Sequence, residues 1–350
     1  MRHLIDFTDL SEQEWQRLYR RFEEIAERPG DYRDALRGQT LASLFYEPST
    51  RTRLSFEAAM LKLGGGVFGF SDPAASSVSK GETLKDTIIM ISGYANVVTL
   101  RHPKEGAAMA AALYSSAPVV NAGDGGHNHP TQTLTDLVTI RRLRGSVGNL
   151  RIGVCGDLKY GRTVHSLLRA LARFEGVSAV LVSAPELALP GYVKRSCKNL
   201  NLTEEPDLRA AAGGVDILYM TRVQRERFTD AAEYERLKLR YTLTPEILRE
   251  APKDLLILHP LPRAGEIPEA VDNDPRAAYF DQARYGLTAR MALLLELCSL
   301  PPFTVKEPEP GGGTACGNPR CITQTEPYLP ASGGGVCRYC EHPLVTPPGV

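Results

Sequence analysis

Four short stretches in the first 140 residues carry side chains that can do chemistry. In EPSTRTRLSFEAAM (47–60) an apolar run gives way to Pro48 and then to a helical pattern. Ser49, Thr50 and Thr52 supply hydroxyls at what reads as a helix N-terminus, and Arg51 and Arg53 add fixed positive charge. Exposed N–H groups, hydroxyls and guanidinium groups at a helix start make a phosphate cradle. The plainer alternative is an N-cap serine or threonine with solvated arginines nearby. The second stretch, SSVSKGETLKDT (76–87), sets Lys80 and Gly81 ahead of another helix start. Alone it reads as a solvated loop, although a serine–lysine pair in such a loop can swing over an anion. RHP (101–103) ends an apolar run, and DGGHNHPTQTLTD (124–136) places His129 just before a helix whose first turn holds Gln132. Open parallel sheets gather ligands at the carboxyl ends of their strands, where Arg101 and His129 both fall.

The second half repeats the arrangement. GDLKYGRTVHS (156–166) is a strand-to-helix turn bearing Arg162, without the G-x-G-x-x-G spacing of a dinucleotide turn. TRVQRER (221–227) puts Arg222 and Gln224 just past an apolar run, with Arg222 and Glu226 spaced to pair on a helix. In LHPLPRAGEI (258–267), Pro260 and Pro262 fix a rigid turn, and either can carry a cis bond. His259 and Arg263 read there as ordinary surface residues. One half thus offers anion binding. The other offers two arginines and an amide suited to a small dicarboxylate, because a guanidinium pairs a carboxylate through two parallel bonds. No Ser-His-Asp, Cys-His or HExxH arrangement accompanies them. The chemistry this set supports is transfer between two bound small molecules by positioning and charge stabilisation.

Two series of alternating strands and helices position these residues. Apolar runs at 41–47, 66–70, 95–100 and 117–123 read as buried strands, with helical patterns at 52–64, 82–94, 106–114 and 131–143. A second series has strands at 150–157, 177–184, 215–221 and 254–260, with helices at 163–174 and 244–250. Such alternation predicts parallel sheets in two α/β domains. The helix at 131–143 would bridge them, and the apolar helix at 286–300 would pack back on the first. The expected divisions are 1–135, 136–285, the helix 286–300, a Pro/Gly-rich linker 301–313 and a tail 314–350.

Length and composition set the limits. The chain has 350 residues, enough for two domains and an appendage. Lys+Arg and Asp+Glu both number 41, so net charge is zero and gives no electrostatic footprint for nucleic acid or an anionic membrane. No apolar run nears the ~20 residues of a spanning helix, and MRHLIDFTDLSEQEW lacks a secretory apolar core. A cytoplasmic location is expected. Of seven cysteines, Cys316, Cys321, Cys337 and Cys340 crowd into the tail, as C-x4-C and C-x2-C separated by 15 residues. A segment this small needs help to fold. Four thiolates suit tetrahedral zinc, whereas two disulfides are disfavoured in a reducing compartment.

Taken in order, STRTR (49–53), SKGET (79–83), RHP (101–103), HPTQTLTD (129–136), GDLKYGRTVHS (156–166), TRVQ (221–224) and HPLPR (259–263) resemble the aspartate carbamoyltransferase family over residues 1–300. The resemblance implies two doubly wound parallel-sheet domains, a homotrimer and active sites shared between neighbouring chains. It also implies roles. Ser49, Thr50, Arg51 and Thr52 would hold the phosphate of carbamoyl phosphate, and Thr52, Arg101 and His129 would polarise its carbonyl. Gln132 with the backbone at Leu261 and Pro262 would hold the carbamoyl nitrogen. Arg162, Arg222 and Gln224 would grip the carboxylates of L-aspartate, with Ser77 and Lys80 reaching in from the adjacent subunit. The chemistry would need no cofactor. An ornithine-specific relative would typically carry cysteine at Pro260; HPLPR and TRVQ favour aspartate. CGNPRCITQTEPYLP (316–330) and CRYCEHPL (337–344) are similar to the zinc domain of the same enzyme's regulatory chain. The resemblance implies a structural zinc, with the module docked on a catalytic domain; a regulatory chain normally also has an N-terminal nucleotide-binding domain, and the short linker here leaves no room for one between the two regions.

Overall fold

The computed structural model describes residues 1–223, 228, 230–305 and 314–344. The chain divides into two compact units: Met1–Thr131 with the described residues from Leu287 on, and Gln132–Gly286.

In the first unit, β1 (Thr40–Phe45), β2 (Gly66–Phe70), β3 (Val97–His102) and β4 (Val119–Asp124) form a parallel sheet in the order β2-β1-β3-β4. β1, β3 and β4 are near-continuous buried runs because a parallel sheet is covered on both faces, while the edge strand β2 is only partly covered. In β3 the first four residues are buried while Arg101 and His102 are half-buried, so a basic end emerges at the strand's carboxyl edge. The helices of this unit are α1 (Glu12–Glu27), α2 (Thr50–Lys62), α3 (Leu84–Ser92) and α4 (Ala107–Tyr114). Helix α1 was not among the expected elements. It starts on a capping box in which Ser11 and Glu14 satisfy each other's backbone N–H. It buries Trp15, Leu18, Phe22 and Ile25, a 3-4-3 stripe.

The second unit begins in α5 (Pro130–Arg144). Its strands are β5 (Arg151–Cys155), β6 (Ser178–Val182), β7 (Asn201–Glu204), β8 (Ile217–Met220) and β9 (Leu256–Leu258), parallel and ordered β7-β6-β5-β8-β9. Helices α6 (Arg162–Leu171), α7 (Gly191–Ser196), α8 (Leu208–Ala212), α9 (Ala231–Arg240) and α10 (Pro245–Glu250) connect them. The strand β7 and the helices α7 to α9 are too short or too polar to show a clear period. The last helix, α11 (Tyr279–Cys298), starts before the expected residue 286. Its first turns look polar, yet Gln282 is buried and hydrogen-bonded.

The tail belongs to the first unit. Ile322, Leu329, Tyr339 and the four cysteines share one apolar cluster with Val98, Leu100 and the alanines of α4. That explains a helix as uniformly apolar as AAMAAALY: the sheet and the tail both cover it. The backbone at Glu105 pairs with the tail on both sides, donating to Arg320 O and accepting from Ile322 N, each at 2.9 Å.

Candidate active site and cysteine cluster

The first unit places its reactive side chains at strand ends. β1 ends at Phe45, the chain turns through Glu47 and Pro48, and α2 begins at Thr50. Ser49 occupies the N-cap position but makes no side-chain capping bond. The plain capping alternative therefore fails for Ser49. Thr50 and Arg51 are exposed and Thr52 is half-buried. Arg53 turns back to Glu57 Oε1 at 3.3 Å, where Ser43 Oγ also donates.

Arg101 stands at the end of β3, neighbour to β1, with its side chain only 12% exposed. Its Nη2 meets Glu47 Oε1 at 2.8 Å and its Nη1 donates to Ala122 O at 3.1 Å. The guanidinium is thus anchored beside the turn that carries Ser49. His129 is buried between β4 and α5, with Thr131 Oγ1 at 3.4 Å from Nδ1. Its loop is organised by the fully buried Asp124. One oxygen accepts from Asn121 Nδ2 and Asn128 N, the other from Gly106 N and His127 Nδ1. Burial alone would depress His127, but the Asp124 carboxylate and Glu341 outweigh it and raise the imidazole to about 10. Asp124 itself is held low: burial pushes it up, and His127 with the other donors overcomes that.

Ser77 and Lys80 bracket an exposed 3-10 turn that closes at Gly81. Ser76 caps that turn, its hydroxyl donating to Pro73 O and accepting from Val78 N. The Ser77 side chain is exposed.

In the second unit, Gly156 follows β5 with φ at 118°, and a Cβ there would meet Thr221 O at 2.3 Å. Only glycine fits this approach between the ends of β5 and β8. Arg162 is the first residue of α6 and Arg222 lies two residues past β8, both half-buried. Gln224 and Glu226 lie outside the described residues. Leu261 has φ at 51° and precedes Pro262 through a cis peptide bond. Gln132, in the first turn of α5, donates from Nε2 to Asp136 Oδ1 at 2.7 Å.

One expectation fails here. His259 is not a surface residue but buried, with Nε2 at 2.7 Å from the buried Glu266. It caps β9 and accepts from Leu261 N at 2.7 Å, so the turn HPLP folds over its own histidine. Arg263 is half-buried, donating from Nη2 to Asp272 Oδ2 at 2.6 Å. Asp124, Asp136, Tyr219, Glu266 and Gln282 escaped sequence reasoning as well. They look like ordinary polar or aromatic positions, and only the D-x-x-H spacing of Asp124 and His127 carries any signal.

The four tail cysteines are buried, unpaired by disulfides, and their Sγ atoms lie within 4.8 Å of one another. Cys316 and Cys340 are 3.6 Å apart and Cys321 and Cys337 3.8 Å. A tetrahedral ion with ligands at about 2.3 Å needs sulfurs about 3.8 Å apart, so the set fits zinc. Asn318 N donates to Cys316, Asn318 Nδ2 to Cys340 and Ser332 Oγ to Cys337, as metal-bound thiolates require.

The fold and this strand-end constellation define a class. Residues 2–142 match the carbamoyl-phosphate-binding domain of aspartate/ornithine carbamoyltransferases, and residues 148–297 match their Asp/Orn-binding domain. The chain belongs to that family. More particularly, the aspartate carbamoyltransferase catalytic subunit of Clostridium novyi is 55% identical over 298 residues, covering 85% of this chain and 97% of that one. That of Clostridium kluyveri is 53% identical over 301 residues, covering 85% and 98%. The solved catalytic subunit of M. jannaschii aspartate transcarbamoylase superposes with a TM-score of 0.80 at 47% identity, covering 85% of this chain and 98% of that one. Aspartate transcarbamoylase from Trypanosoma cruzi, in complex with N-(phosphonacetyl)-L-aspartic acid, gives 0.80 at 37% identity, covering 85% and 95%. The matched family domains end at residue 297, so the cysteine cluster lies beyond them.

Proposed function

We propose that this chain transfers the carbamoyl group of carbamoyl phosphate to the α-amine of L-aspartate, giving N-carbamoyl-L-aspartate and phosphate, in pyrimidine synthesis. The observation that carries the reading is the set of strand-end residues in both units, within a chain more than half identical to aspartate carbamoyltransferase catalytic subunits. Ser49, Thr50, Arg51 and Thr52, with the N–H groups of α2, take the phosphate. Thr52, Arg101 and His129 donate to the carbonyl oxygen and stabilise the negative charge that grows there. Gln132 and the Leu261–Pro262 turn hold the carbamoyl NH2, and Arg162, Arg222 and Gln224 pair with the two carboxylates. The deprotonated amine attacks the carbonyl carbon, the bond to the phosphate oxygen breaks, and the departing phosphate takes the amine's proton. Positioning of the two reactants supplies much of the rate.

Ser77 and Lys80 act in a neighbouring copy's site, within a homotrimer. Their exposed turn supports this, as do the exposed Leu54 and Leu61 on α2, Ile89 and Met90 on α3, and Tyr94. Cys316, Cys321, Cys337 and Cys340 hold one structural zinc. The module seats on its own chain's carbamoyl-phosphate-binding unit, a reading supported by the Glu105 pairing and by Asn318 Nδ2 on Glu105 Oε2 at 2.7 Å.

The test is phosphate release from carbamoyl phosphate with L-aspartate, L-ornithine or no acceptor. Release with aspartate alone is expected; equal release with ornithine overturns the acceptor assignment. Native mass spectrometry reads copy number and metal together: three chains with three zinc ions are expected, and a metal-free monomer overturns both.

A further inference from the structure

Behind the second unit's share of the site runs a buried chain of hydrogen bonds whose polarity is fixed at both ends. Asp136 is fully buried and its carboxylate can only accept. The group that Gln132 turns toward it must therefore be the NH2, as must the end of the Gln282 amide that meets Asp136 Oδ1 at 2.6 Å. The other end of Gln282 is then its carbonyl, which accepts from His259 N at 2.9 Å. His259 Nδ1 accepts from Leu261 N, so the ring proton sits on Nε2 and is donated to Glu266. Tyr219 donates to the other Asp136 oxygen at 2.9 Å. Glu266 is held below its ordinary value: burial would raise it, but the bonds from His259 and the backbone outweigh that.

The consequence appears at the outer ends. With its NH2 committed inward, Gln132 presents its carbonyl oxygen. The Leu261 N–H is committed to His259, and the carbonyl of Leu261, in the next peptide, can act only as an acceptor; its φ is 51°. Neither oxygen receives a hydrogen bond among the described residues. The two outward groups are both acceptors, which is what a ligand NH2 with two protons requires.

We propose that Asp136, with Gln282 transmitting to the His259 turn, is a positioning residue that makes the site select a donor bearing NH2 over an isosteric donor bearing CH3. The inference rests on the reading that Gln132 and Leu261 hold the carbamoyl nitrogen. Without Asp136 the Gln132 amide is free to rotate and offer its own NH2, which repels that of the substrate. A site built for hydrogen bonds loses its discrimination when those bonds are misplaced.

Acetyl phosphate carries the methyl in place of the NH2. Its inhibition constant as a competitor, divided by the KM for carbamoyl phosphate, measures the preference. Gln132→Ala tests the underlying reading: its preference should fall about tenfold, and an unchanged value brings down that reading. Asp136→Ala should lower the preference about as far. Asp136→Asn, which keeps an acceptor oxygen for Gln132 and lets the Tyr219 hydroxyl turn to accept, should restore most of it. A purely structural role would lower the melting temperature and turnover while leaving the ratio at the wild-type value. A folded Asp136→Ala enzyme with wild-type preference, where Gln132→Ala has lost its own, overturns the inference. Should Asp136→Ala fail to fold, Gln282→Met decides: a reduced ratio supports the relay and an unchanged one overturns it.

Discussion

The two units prepare their halves of the chemistry by different means. The first presents a helix N-terminus, where backbone N–H groups of α2 and the hydroxyls of Ser49, Thr50 and Thr52 are in place as soon as the helix forms. Arg101 is aimed from the neighbouring strand by Glu47, in the turn that leads to Ser49, and by the carbonyl of Ala122. The second unit presents side chains and a carbonyl whose direction depends on buried partners far off in the chain. Gln282 lies 146 residues from Asp136, and Tyr219 lies 83 away. Anions can be recognised by local backbone dipoles alone. Telling an amide nitrogen from a methyl needs acceptors of fixed orientation, and these need a supporting shell.

The comparison breaks first at the cradle. If Arg51 holds the phosphate as proposed, Arg51→Ala is expected to cut turnover by roughly three orders of magnitude with the melting temperature unchanged, because the residue is exposed. A loss of tenfold or less in steady-state kinetics would mean the backbone alone holds the phosphate. Chelation of the zinc proposed for the tail, or Cys321→Ser, tests whether the first unit is as self-sufficient as its local cradle suggests. Structural zinc contributes on the order of 10 kcal/mol to folding of small domains. Loss of the ion should therefore expose Ile322, Tyr339 and the α4 alanines, read as faster hydrogen exchange in α4 and in Glu105. Unaltered exchange would show that the tail is an ornament on a complete core.

Asp124→Ala should cost roughly 3–5 kcal/mol, the usual penalty for leaving a buried partner uncompensated. Thermal unfolding measures the cost, and NMR titration should show His127 falling from about 10 toward or below its ordinary value. Should the imidazole stay high, Glu341 rather than Asp124 is its main partner. The smallest effect concerns the second unit's buried end. Glu266 is depressed in the folded chain, so the unfolded chain takes up that proton at a higher pH. Its contribution is complete above about 4.5 and fades as pH falls through the folded value. Glu266→Gln should flatten the acid limb of the stability curve below pH 4.5. A limb of unchanged slope would assign the acid sensitivity to other carboxylates.

What could be read from the sequence follows the same division. Strand–turn–helix punctuation put Ser49, Arg101, His129 and Arg162 at strand ends, since apolar runs, prolines and helix starts are local signals. The C-x4-C and C-x2-C spacings marked the tail for the same reason. The burial of His259 is hard to read because its partners are polar: Glu266 looks like a surface carboxylate, and Gln282 like a surface amide in the polar start of α11. Glu105 was silent too: its partners Asn318 and Arg320 lie more than 200 residues on, and no local period records such a contact. Helix α1 was legible in principle, through its S-x-x-E start and 3-4-3 stripe.

Gly106 sits where the body of the first unit meets its tail. It begins α4 with φ at 83°, its N–H reaches Asp124, and a Cβ there would sit 2.5 Å from the backbone of Tyr339 in the tail. A side chain at this position meets the Tyr339 backbone first and so presses the cysteine module off the body, while Arg51 lies outside the contact. The bond between the two parts thus passes through a missing methyl group. Gly106→Ala is accordingly the simplest genetic means of separating them.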